Sequence, residues 1–269
     1  MFENVTLGQY FPGNSFLYRL DPRTKLVLTV ALIVLVFLVQ KFAGFALILA
    51  LVIACAVSTK IGLKYMLKGL KPILFIILFT FVLNLFLTNE GDVLVKVWIL
   101  TITSGGLRSA LFMAVRLMLL VLCSQLLTFT TSPIALTDGL ESLMRPLARI
   151  GFPAHEISRM MSIALRFIPT LMEETNKIRR AQTARGANFE TGGLIAKAKA
   201  MVPLLVPLFV NAFRRADDLA MAMEARCYRG GAGRTRMNEL KFSVSDLIAL
   251  LLMALMFAGV IVLNGLSVI

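Results

Sequence analysis

Apolar residues in this chain come in long runs separated by short basic stretches. The first run begins at Leu26, after a polar lead-in. Five segments are apolar enough to be read as helices crossing a bilayer, which takes about 20 residues each. They lie at roughly 25–40, 42–58, 72–88, 107–130 and 244–264. The first two are short and are predicted to form a tight pair turning at Gln40-Lys41. Val97–Ile102, with Trp98, is apolar but too short to span, so an interfacial or re-entrant piece is expected there. The fold class predicted is an all-α polytopic membrane protein with about five transmembrane helices and long cytoplasmic amphipathic helices. The expected organisation is 1–130 for the N-terminal segment and first four spans, 131–241 for a cytoplasmic helical region, and 242–269 for the last span.

Residues 131–241 are too long for a loop and are not disordered in composition. Pro133 and Pro153 stand where helices begin, and Gly151, Gly186 and Gly230-Gly231 where they end. Helices are predicted over about 133–149, 154–184 and 196–228. In the second, Ile157, Met160, Met161, Ala164, Leu165, Ile168, Leu171 and Met172 recur at helical spacing. The third starts apolar, from Met201 to Val210, and then becomes charged at Arg214, Arg215, Asp217 and Asp218. Pro203 and Pro207 are expected to bend it. Met160, Met161, Met172, Met201, Met221 and Met223 suit either a surface that accepts several partners or the protein's own helix contacts.

One short pattern occurs twice in this region. Ala181-Gln-Thr-Ala184-Arg185-Gly186 and Ala222-Met-Glu-Ala225-Arg226-Cys227 both read Ala-x-x-Ala-Arg-small, 41 residues apart. Each copy closes a helix-like run. An arginine between small residues at a helix end suits insertion into a groove on another protein.

Composition agrees with a membrane location. The chain is 58% hydrophobic, with a mean hydropathy of +0.83. Its net charge of +13 invites a nucleic-acid reading. Long uncharged apolar runs argue against that, and the basic bias is read as a topology signal instead. Residues 1–25, 59–71 and 131–241 hold 24 of the 28 Lys and Arg. With those regions inside, five spans give a cytoplasmic N-terminus and an external C-terminus. No cleavable signal peptide is expected, since no small-residue cleavage site follows the first apolar run. Cys55, Cys123 and Cys227 are far apart and the chain has a single His, so neither a disulfide framework nor a metal site is expected. No cofactor is expected.

Ionisable groups inside the spans are few: Arg116 chiefly, with Arg108 and Asp246 near ends. The missing midplane carboxylates count against a stand-alone carrier. The absence of a His/Asp/Cys cluster counts against an integral membrane enzyme. Asp21-Pro22 is expected to cap the first long helix. Arg116 is expected to reach a partner, either within the fold or on another subunit. His155 is expected to serve a cap or the surface, and Glu173-Glu174 with Arg179-Arg180 a solvated helix face.

Over essentially its whole length the chain resembles the transmembrane T component of energy-coupling factor transporters, the EcfT/CbiQ family. The resemblance rests on Tyr10-Phe11-Pro12-Gly13-Asn14-Ser15 with Leu20-Asp21-Pro22-Arg23-Thr24-Lys25, on Leu165-Arg166-Phe167-Ile168-Pro169, and on the two Ala-Arg-small motifs. It implies a non-catalytic coupling subunit of an importer for vitamins or other micronutrients in the cell membrane. Two cytoplasmic ATPases, forming a heterodimer, are its implied partners. So are one or several interchangeable small membrane subunits that bind the substrate. The resemblance assigns ATPase docking to Ala184, Arg185 and Gly186, and to Ala225, Arg226 and Cys227. Cys227 stands where the commoner pattern has Gly, which questions any need for left-handed backbone there. Chemically, each guanidinium offers a planar fork of donors to a carboxylate or to helix-end carbonyls. The alternative is an ordinary solvated charge at the negative end of a helix.

Overall fold

The computed structural model describes residues 10–60, 62–88, 92–97, 100–151, 153–189, 193–228 and 240–265. Its contacts divide into two compact units. One holds the described residues of Gly8–Leu140 and Glu239–Ile269, the other those of Glu141–Asn238.

The first unit is a helical bundle. A short helix α1 (Phe16–Arg19) leads to α2 (Pro22–Leu38) and α3 (Phe42–Thr59). Asp21 caps α2 as expected, accepting from the Arg23 N–H at 2.8 Å, and Pro22 opens the helix. Next come α4 (Leu63–Leu70) and α5 (Leu74–Leu87), bent by 60° at the break between them. A two-stranded antiparallel hairpin, β1 (Val93–Val97) with β2 (Leu100–Thr103), then delivers the chain to α6 (Ser104–Thr130). This hairpin falls where an interfacial or re-entrant piece was expected. It is a small departure in an otherwise helical fold. After α6 come α7 (Pro133–Met144) and, at the other end of the sequence, α10 (Val244–Gly265).

Three helices, α3, α6 and α10, are long and apolar enough to cross a membrane alone. The α4–α5 pair makes a fourth if counted as one broken span. α2 has 17 residues. At ~1.5 Å per residue it reaches about 25 Å, close to the about 27 Å of α3 and at the lower end of the range for spanning helices. Against the about five spans expected, three helices among the described residues pass by length and composition, or four with the bent pair. α2, one residue shorter than α3, is the fifth candidate.

α6 runs through the middle of this unit. Its Leu119, Leu122, Cys123, Leu126 and Phe129 are buried with Leu35 and Val36 of α2, Ile48 and Val52 of α3, and Met256 and Val260 of α10. Many large apolar side chains of α5 and α10 stay exposed, as expected of helices solvated by lipid. Arg116 finds its partner inside the fold. Its guanidinium donates to the Val39 carbonyl at 3.0 Å, at the open end of α2, and lies within about 6 Å of the rings of Phe37, Phe45 and Phe112. Asn264 clasps the same turn, donating to the Leu38 carbonyl and accepting from the Gln40 N–H.

The opposite end of the bundle is tied by buried charge. Asp246 is 1% exposed and accepts from the backbone N–H groups of Asp21 at 2.9 Å and Ser243 at 2.8 Å. Lys25 is also buried. Its ammonium donates to the Thr130 carbonyl at 3.0 Å, with the carboxylates of Asp246 and Asp21 as counter-charges. One cluster thus joins the start of α2, the end of α6 and the start of α10. Nearby, α7 approaches so closely that a Cβ on Gly139 would meet Pro22 at 3.1 Å. Removing an acceptor from such a cluster strands buried donors, at about 1–3 kcal/mol each. Asp246→Ala is expected to lower the thermal unfolding midpoint in detergent, and Asp246→Asn, which keeps one carbonyl acceptor, to lower it less. Equal midpoints for wild type and Asp246→Ala would contradict this.

Candidate functional site

The second unit is built on two long helices, α8 (Ala154–Ala184) and α9 (Leu194–Ala225), preceded by a 3-10 turn at Arg145–Ile150. Pro153 stands at the N-cap of α8, and Gly151, at φ +86°, makes the turn before it. Pro169 lies inside α8, and Pro203 and Pro207 inside α9, which continues through both.

The two copies of the sequence pattern fold alike. Arg185 is the C-cap of α8 and Arg226 the C-cap of α9. At the first, the Ala187 N–H donates to the Gln182 carbonyl at 3.0 Å and the Gly186 N–H to Thr183 at 3.0 Å. At the second, the Tyr228 N–H donates to the Met223 carbonyl at 3.0 Å and the Cys227 N–H to Glu224 at 2.8 Å. Each is a Schellman closure, with the residue after the cap in left-handed backbone. Gly186 has φ +90° and Cys227 has φ +54°. The doubt about left-handed backbone at Cys227 is therefore removed. The helix turns there, at 227, before the Gly230-Gly231 stop that the sequence suggested, a pair outside the described residues.

Both closures engage the carbonyls of Gln182 and Thr183, and of Met223 and Glu224, through backbone N–H groups. Ala184, Arg185, Gly186, Ala225, Arg226 and Cys227 are all exposed. The structure does not bring the two motifs together. Glu174 of α8 and Arg215 of α9 form an ion pair, and the Arg159 guanidinium lies 5.3 Å from the Tyr228 ring centre. These contacts pair rising numbers on α8 with falling numbers on α9, so the helices run antiparallel. Glu174 and Arg215 each stand eleven residues before their motif arginine. The motifs thus lie at opposite ends of the pair, on arms of equal length, at most about 33 Å apart along the helices at ~1.5 Å per residue.

His155 joins a polar relay that the sequence did not suggest. Its Nδ1 lies 3.1 Å from a Glu141 carboxylate oxygen, and the Arg159 Nε donates to its Nε2 at 3.3 Å. The tautomer that fits both contacts carries its proton on Nδ1, donating to Glu141, and accepts from Arg159 at Nε2. The relay runs from Glu141 through His155 and Arg159 to Tyr228, the residue just past the second motif. Among the described residues, no three His, Cys, Asp or Glu side chains converge as metal ligands would.

The first half of α9 carries an uncovered apolar stripe. Met201, Leu205, Phe209 and Phe213 recur every fourth residue beside Val202, Val206 and Val210, all exposed, with Phe213 at 69%. Met160, Met161 and Met221 are exposed as well.

The sequence profile of the CbiQ family, described as cobalt transport protein, matches residues 13–239. The chain belongs to the CbiQ family. It is 55% identical over 255 residues to the energy-coupling factor transporter transmembrane protein EcfT of Thermosediminibacter oceani, covering 95% of this chain and 96% of that one. It is 53% identical over 250 residues to the protein of the same name from Clostridium kluyveri, covering 93% of each chain. It is 46% identical over 246 residues to that of Bacillus subtilis, covering 91% and 93%. This CbiQ-family chain is therefore a transmembrane transport component, and both motifs lie within the matched residues.

The two motif ends differ in one testable respect. A left-handed non-glycine residue costs about 1–2 kcal/mol. A Cβ on Gly186 would meet nothing within 4 Å, so only the backbone resists a side chain there. Cys227→Gly is expected to raise the helix-loss midpoint followed by circular dichroism, and Gly186→Val to lower it. Shifts of the same sign would contradict the shared closure.

Proposed function

We propose that this protein is the coupling (T) subunit of an energy-coupling factor importer and itself catalyses nothing. Arg185 and Arg226 dock two cytoplasmic ATPases, one at each end of the α8–α9 pair. The observation that carries this reading is the repeated closure. Two helices end alike, on arms of equal length, each presenting an exposed arginine at its C-cap. Ala184 and Gly186, and Ala225 and Cys227, let a groove wall approach the backbone closely. Closure of an ATPase pair on ATP would move the two docking points together and shift the helices that carry them. No Gly-x-x-x-x-Gly-Lys-Ser/Thr loop occurs in the chain, consistent with ATP being bound by the partners.

In this reading residues 131–241 form the coupling region, and 1–130 with 242–269 the membrane part. The N-terminus is cytoplasmic and the C-terminus external. The apolar stripe of α9 receives the small membrane subunit that binds the substrate. A methionine-rich surface suits several such subunits in turn.

Truncating one partner of a buried charged contact costs ~2–5 kcal/mol. Arg185→Ala and Arg226→Ala are each expected to weaken co-purification of the ATPases, and the double variant to abolish ATP-driven uptake while the protein still reaches the membrane. Normal uptake by the double variant would refute the docking assignment.

A further inference from the structure

Where α3 ends and α4 begins, the first unit holds a cavity of about 470 Å³. That lies within the ~300–1,000 Å³ range of ligand pockets. Ser15, Tyr18, Ser58, Thr59, Lys60 and Tyr65 line it. We propose that this cavity seats the headgroup of an anionic phospholipid, with α4 lying along the membrane surface as its basic rim.

Position comes first. The cavity sits beside the last residues of α3, a helix long and apolar enough to span, and the first turn of α4, the short helix that precedes α5. The 60° bend between α4 and α5 turns α4 away from the direction of the span. A short helix at that boundary meets lipid headgroups before it meets bulk water. Tyr18 and Tyr65 are the residue type that settles at this interface, and Tyr65 packs on Phe11 at 5.5 Å between ring centres.

Charge comes next. Lys64, Lys68 and Lys71 fall at helical spacing on one side of α4, while Met66 and Leu70 are buried on the other. Lys60 adds a fourth cation at the cavity itself. The sequence holds no Asp or Glu from residue 22 to residue 89. Among the described residues, none of these four lysines forms an ion pair. A zwitterionic lipid brings its own cation and leaves this charge uncompensated, whereas an acidic phospholipid neutralises it.

Two local features mark the cavity as built. The Ser15 hydroxyl is buried and has no hydrogen-bond partner, a cost that a phosphate or glycerol oxygen would relieve. Lys60 holds left-handed backbone at φ +55°, where glycine is the easy choice, and its N–H closes α3 on the Val57 carbonyl at 3.1 Å.

Lys60→Gly supplies the test, because it removes the charge at a position whose backbone favours glycine. Full-length protein is reconstituted in nanodiscs of mixed phosphatidylglycerol and phosphatidylcholine and extracted in mild detergent. Retained lipid is then measured by mass spectrometry, and folding by the thermal midpoint. Wild type is expected to retain phosphatidylglycerol in preference to phosphatidylcholine. Lys60→Gly is expected to retain about fivefold less, as is each of Lys64→Gln and Lys68→Gln, from the worth of one lysine at an anionic surface. Inorganic phosphate is expected not to displace the lipid. Equal retention of the two lipids, undiminished retention by a folded Lys60→Gly, or displacement by phosphate would each overturn the proposal, the last by assigning the cavity to a soluble anion.

Discussion

A helix that hands an arginine to another protein must first stop without needing that arginine. The last four carbonyls of any helix lack partners, and a cationic side chain nearby is a ready donor for them. In α8 and α9 the backbone closes itself. The 6→1 and 5→2 hydrogen bonds at 182–187 and 223–228 serve two of the last four carbonyls of each helix. Arg185 and Arg226 are left exposed, each at the C-cap of its helix. That closure needs left-handed backbone immediately after the arginine, which is why the motif ends in a small residue. Glycine meets the need without strain at 186, and cysteine accepts it with some at 227.

The second constraint is how the two ends are spaced. An antiparallel pair places equivalent points at opposite ends, so one helix pair can serve two partners at once. The Glu174–Arg215 contact links positions that are equivalent in the 41-residue repeat, which makes the arms equal. Near one end the Glu141–His155–Arg159–Tyr228 relay adds a polar brace. The membrane unit is braced by different means. Its core is modest, and polar ties hold its ends: Asp246 and Lys25 at one, Arg116 and Asn264 at the other. Such ties count for more in lipid, where unpaired backbone groups find no water.

Much of this was legible in the sequence because it depends on local rules. Composition and run length gave the helical membrane class, and prolines and glycines located α8 and α9 to within a few residues. The Asp21-Pro22 cap follows from residue type alone. What escaped the sequence depends on distant partners. Asp246 looked like an ordinary residue near a helix end, and its role appears only when α2 and α10 lie side by side. His155 looked like a surface residue, because its partner Glu141 lies across the turn that precedes α8. The hairpin at 93–103 was hidden by its apolar composition, which suits an interfacial helix as well as strands. The stop at Cys227 was masked by Gly230-Gly231, a stronger breaker just beyond.

The central claim is that both arginine-ended helices are ATPase contacts. Amide hydrogen exchange across 182–187 and 223–228, in the protein alone and in complex with its ATPases, tests it most directly. The account predicts slower exchange in both windows on complex formation, with each window losing its protection when its own arginine is replaced by alanine. Unchanged exchange in both windows, while the ATPases remain bound, would contradict it.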